Sequence, residues 1–164
     1  MDFTVEHEFP AAPAAVADVL CDPAFHTALE LPDLSLPEVV DESNDGTTSV
    51  LRLRYEFIGH LDPVAKKVLS GQKLTWIQTL TYDHAANRGK LEFAAEAGAD
   101  RLFGSAQVAL VALDDDRSRR HISGELHVKV PLVGGMAEKR IVPGLVRRLD
   151  VEAAACRERL TNQG

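Results

Sequence analysis

The segment from Pro131 to Leu160 constrains the fold most, because a long amphipathic helix there follows a run of alternating strands. After Pro143, the apolar residues Leu145, Val146, Leu149, Ala153, Cys156 and Leu160 fall on one arc at about 100° per residue, with Arg147, Asp150, Ala154 and Glu158 opposite. From Gly134 to Thr161 such a helix runs roughly 40 Å at about 1.5 Å per residue. That length crosses several strands spaced about 4.8 Å apart. The strands cannot bury their apolar face without a cover, and this helix is the element able to roof them.

The strands are legible by alternation. Phe3, Val5, His7 and Phe9 alternate with Asp2, Thr4, Glu6 and Glu8, and Pro10 ends the run. Pro13 suits the first turn of a helix carrying Val16, Val19 and Leu20, and Asp22-Pro23 supplies a cap and first-turn proline for a second short helix to Leu29. Leu36 to Glu42 is a weak strand candidate, joined through Asn44-Asp45-Gly46 to a strand from Val50 to Ile58. Asp62-Pro63 opens a short helix through Val64, Val68 and Leu69, stopped by Gly71, that reads as a lid over one edge of the sheet. Four further strands follow, about Lys73–Tyr82, Gly89–Ala97, Arg101–Leu113 and Arg119–Val130, with connections short enough to demand antiparallel neighbours. The predicted order is strand, two helices, six strands and a long helix, an α+β chain of one domain spanning residues 1–164.

At 164 residues and 45% hydrophobic content the chain can bury a sizeable core without staples. Cys21 and Cys156 each have apolar neighbours on their helical faces and are expected to be reduced, buried thiols. A net charge of −7 disfavours nucleic acid or an anionic membrane as main partner. The basic groups Lys66-Lys67, Arg117/Arg119/Arg120 and Arg147-Arg148 have acidic neighbours and read as solvated faces or turns. No leader peptide and no apolar run long enough to span a bilayer is visible, so a cytoplasmic protein without integral membrane association is expected.

The element order, together with Phe3-Thr4-Val5-Glu6-His7-Glu8-Phe9, the Pro13 helix start, Asp22-Pro23-Ala24-Phe25 and Pro131-Leu132-Val133-Gly134-Gly135, resembles the START/SRPBCC superfamily, in particular an actinobacterial branch of it. The resemblance covers nearly the whole chain and contains no catalytic fingerprint. It implies the helix-grip fold of the birch-pollen-allergen-like proteins, a curved antiparallel sheet of about seven strands wrapped around the C-terminal helix. It also implies a cavity between helix and sheet for a small hydrophobic or amphipathic molecule such as a lipid or polyketide, bound or carried in some relatives and cyclised or hydrolysed in others. Independently, Ala94, Ala95, Ala97, Gly104, Ala106 and Ala109 leave little side-chain volume in two neighbouring strands, so the helix either settles close or leaves room for a guest.

Ligand pockets are apolar with a few placed polar groups, so polar residues in phase with the buried face are the informative ones. His7, Tyr55, Gln78 and Tyr82 meet that test, and Glu138 does if the apolar arc extends back past Pro143. A buried Glu138 would have a raised pKa. With the apolar Phe57, Trp76, Phe93, Val142, Leu145 and Leu149 these make up the expected pocket wall. Pro143-Gly144 weakens the helix ladder, so the Gly134–Val142 segment and the helix after Asp62 are candidates for a gate.

Metal binding is not indicated, since His60, His84, His121 and His127 are scattered and neither cysteine has a Cys-x-x-Cys partner. No Gly-x-Ser-x-Gly elbow or phosphate loop occurs, and no cofactor is implied. The expected activity is binding or transport of a small hydrophobic molecule. A cyclase- or hydrolase-like enzyme using His7, Glu138 or a tyrosine for proton transfer, and a protein-interaction module with a filled interior, are the rivals. Oligomeric state is left open.

Overall fold

The computed structural model describes residues 1–163. The elements are β1 (Asp2–Phe9), α1 (Pro13–Leu20), α2 (Pro23–Thr27), β2 (Glu38–Asn44), β3 (Thr48–Glu56), α3 (Pro63–Leu69), β4 (Thr75–Asp83), β5 (Arg88–Ala95), β6 (Leu102–Asp114), β7 (Arg117–Val128) and α4 (Gly134–Gln163). Seven antiparallel strands form one sheet in the order β1-β7-β6-β5-β4-β3-β2, and α4 packs on β1 and β7. This is the helix-grip architecture.

Local chemistry sets each element. Phe3, Val5, His7 and Phe9 point inward from β1, whose strict period of two follows from the pleat. The Asp22 carboxylate accepts the Ala24 amide at 2.9 Å and caps α2, and that of Asp62 accepts the Ala65 amide at 2.8 Å and caps α3. At the β2–β3 turn the Asp45 carboxylate accepts the amides of Thr47 and Thr48, and Gly46 takes φ +87°, a value that favours glycine. The β2 strand begins at Glu38, two residues later than Leu36, since Pro37 has no amide to donate to a ladder. Gly124 is required by close approach, because a Cβ there would overlap the Ser105 carbonyl and Ala106 of β6.

The core has two parts. One, under the first half of α4, gathers Leu53, Tyr55, Trp76, Phe93, Leu126, Val142, Leu145 and Leu149 among others. The second joins α1 to the far half of α4 through Phe9, Val16, Leu20, Tyr82, Leu110, Ala153 and Cys156. α4 stays helical through Pro143. No helix among the described residues is long and apolar enough to cross a membrane.

Candidate ligand cavity

Beneath the first half of α4 the helix stands off from the sheet and leaves a cavity of about 290 Å³. Trp76 of β4, Phe93, Ala94 and Ala95 of β5, and Leu102 and Phe103 of β6 form its floor. Ala137, Ile141, Gly144 and Leu145 of α4 form the roof, while Val64, Val68 and Leu69 of α3 close one side with Leu34 and Phe57. The volume exists where side chains are short: Ala94 and Ala95 below, and Gly144 above, where an added Cβ would meet nothing within 4 Å.

Charge enters this apolar space from α4. Arg148 lines the cavity with its guanidinium carbon 5.0 Å from the centre of the Trp76 ring, and Trp76 in turn stacks on Tyr55 at 5.7 Å. Among the described residues Arg148 has no hydrogen-bond acceptor and no carboxylate partner. Burial lowers its pKa to about 10, which leaves it a cation at neutral pH, and burial raises that of the Tyr55 hydroxyl. At the mouth, Arg140 of α4 forms an ion pair with Asp62, the cap of α3. The Ala65 amide and then Arg140 hold the Asp62 carboxyl below its ordinary pKa. One residue thus caps the lid helix and ties it to the roof.

Deeper, a buried polar network crosses the core. Arg120 of β7, 3% exposed, donates to the Glu152 carboxylate of α4 at 2.5 Å and to Nδ1 of His7 at 3.2 Å. A guanidinium only donates, so Nδ1 is an acceptor and the proton sits on Nε2, which donates to Asp150 at 2.8 Å. Burial first, and then the Arg120 charge against the opposing pull of Asp150, lowers the His7 pKa below 6.5. The ring is therefore neutral with both nitrogens occupied. Beside the network, a separate void of about 30 Å³ lies among mainly apolar residues, with Gln78, Tyr82, His26, Arg120 and Glu152 as its polar lining. The Tyr82 hydroxyl, Nδ1 of His26 and Nε of Arg120 are buried without protein partners, and all three residues line this void.

The expected pocket residues therefore separate. Phe57, Trp76, Phe93 and Leu145 line the cavity. Tyr55, Val142 and Leu149 are buried in the adjoining core but outside its lining, and Gln78 and Tyr82 line the small separate void. His7 is locked between Arg120 and Asp150. Glu138 does not face the cavity: its carboxylate accepts the Val128 amide at 2.9 Å and pairs with the N-terminal amine at 3.3 Å. The first of these contacts leads in lowering its pKa, the reverse of the rise expected for a buried glutamate.

Of the arginines expected on solvated faces, Arg120 is instead buried, and Arg148 is half-buried and lines the cavity. Period two places Arg120 in phase with Ile122, and Arg148 lies three residues beyond Leu145 and four before Glu152 on the stripe facing the sheet. Both signals were present in the sequence, masked by the charged neighbours Arg119 and Arg147.

A family described as "Protein of unknown function (DUF2505)" matches residues 4–160. The chain belongs to that family. No curated protein matches the sequence. Among solved structures, the DUF2505 chain is similar to a protein from Thermus thermophilus, with 16% identity, TM-score 0.70, and coverage of 100% of this chain and 99% of the other. It is similar to the Zhui aromatase/cyclase from a Streptomyces species, with 17% identity, TM-score 0.64, and coverage of 98% and 96%. A START superfamily protein from Mycobacterium smegmatis matches at 16% identity and TM-score 0.58, with 99% of each chain covered. At these identities the likeness establishes the fold.

Proposed function

We propose that this DUF2505 protein binds or carries a small hydrophobic or amphipathic molecule between α4 and the sheet. The observation that supports the reading is the apolar cavity of about 290 Å³ under the roof helix. That volume is close to the lower end of the range of ligand sites, about 300 Å³. Apolar burial supplies affinity, and withdrawal of α3 from α4 supplies entry. Proton-transfer chemistry at His7 or Glu138 has no support, because both side chains are engaged away from the cavity.

Gly144→Leu gives the test. A Cβ at this lining position meets nothing within 4 Å, so the new side chain has open space to enter, and loss of a helix-interior glycine is worth about 1 kcal/mol. The wild-type protein should bind the neutral fluorophore N-phenyl-1-naphthylamine saturably. Gly144→Leu should abolish that binding while melting no lower than wild type. Absence of saturable binding, or equal binding by the variant, would refute the reading. Native mass spectrometry of protein from its own host should show a bound small mass.

A further inference from the structure

We infer that the ligand carries a single carboxylate, received by Arg148 inside the cavity. This deepens the proposed function and rests on it. The chain as a whole has net charge −7, yet the cavity lining carries Arg140, Arg147 and Arg148 against Asp33 and Asp62. Asp62 is occupied by Arg140, and Arg147 is exposed at the rim. Asp33 is exposed on the loop before β2 and forms no ion pair with Arg148. Arg148 is the cation left facing apolar walls, with the Trp76 ring beneath it.

The half-buried Arg148 guanidinium, facing apolar side chains and paired with no anion, is poorly compensated in the empty protein. Compensation comes when a ligand brings the counter-charge. Its fork of N–H donors matches a carboxylate in two parallel hydrogen bonds, with one face still on Trp76. A monoanion balances that cation. A dianionic phosphate would leave a negative charge uncompensated in the same low-dielectric space. The apolar remainder of the molecule then lies along Phe93, Ala95 and Leu145.

Displacement of N-phenyl-1-naphthylamine at pH 7.5 tests this with matched competitors: decanoate against 1-decanol and decyl phosphate, and 2-naphthoate against 2-naphthylmethanol. In wild type, the better-fitting carboxylate should displace the fluorophore at least tenfold more effectively than its alcohol, and decanoate should exceed decyl phosphate. Arg148→Met should erase the preference, retain binding of the alcohol, and melt no lower than wild type without ligand. Arg148→Lys should keep part of the preference, and Arg117→Met, at the β6–β7 turn outside the lining, all of it. Equal displacement by carboxylate and alcohol in wild type overturns the inference while leaving the binding reading intact, and needs no variant. A preference that survives Arg148→Met overturns the assignment to Arg148, and superior decyl phosphate overturns the carboxylate. Failure of the fluorophore and of every competitor to bind removes both proposals together.

Discussion

Replacing Glu152 by Gln should destabilise the protein far more than its conservative appearance suggests. The substitution keeps the shape and one acceptor beside Arg120, but it leaves a guanidinium that is 3% exposed without its counter-charge. Breaking one partner of a buried pair costs about 3–5 kcal/mol, a large share of the roughly 5–15 kcal/mol that holds a domain folded. For a chain of this size each kcal/mol moves the melting point by about 2–4 °C, so a fall of roughly 6–20 °C is expected. Urea unfolding monitored by circular dichroism would measure it directly. The double variant Arg120→Met/Glu152→Met should recover most of the loss, since apolar replacement of both partners removes the charge and its desolvation together. Burial alone would raise the Glu152 pKa, but the Arg120 guanidinium wins and holds it below 4.5. The stability it contributes is complete above the unfolded value of 4.5 and is lost as pH falls through the folded value. A cost below about 1 kcal/mol for Glu152→Gln, or additive single effects in the cycle, would refute the assignment of Arg120 and Glu152 as a coupled buried pair.

His7 adds a second acid-sensitive step. The unfolded imidazole takes up a proton near 6.5 and the folded ring only at lower pH, so stability should decline as pH falls below 6.5; His7→Gln should flatten that part of a melting profile. Asp62→Asn retains an N-cap for α3 but breaks the pair with Arg140. It should change global stability by less than about 1 kcal/mol, while speeding both release of N-phenyl-1-naphthylamine and amide exchange in α3; unchanged rates would rule out the Asp62–Arg140 latch. Burial pushes the thiols of Cys21 and Cys156 up to about 11 and 12, so native protein at pH 8 should react with a thiol reagent at least a hundredfold more slowly than unfolded protein. Comparable rates in the two states would contradict that burial.

Strands and helices were legible because one face of each is buried and the period follows from the pleat or the helical turn. Thus Phe3 to Phe9 and Leu51 to Tyr55 announced both their element and their inward side. The cavity was legible only through the resemblance, because Ala94, Ala95 and Gly144 state that volume is missing without stating whether a neighbour fills it. Glu138 shows the limit of helix phase: the same arc that reaches Val142 also brings it to the end of β7, where a free backbone amide captures the carboxylate. Arg120 and Arg148 show the converse. A charge within a charged run reads as solvated until the partner or the void that takes it is known, and Glu152 and the cavity both depend on contacts distant in sequence.

The pairing of β1 with β7 sets Asp2 opposite Glu125, so during synthesis β1 waits for the last of the seven strands. At about 5–20 residues per second, on the order of ten seconds pass before that partner is available. Throughout this interval Phe3, Val5 and Phe9 form an apolar ribbon with a vacant hydrogen-bonding edge, open to any other nascent chain. This late pairing of an edge strand makes biosynthesis the period in which the β1 ribbon is most exposed to aggregation.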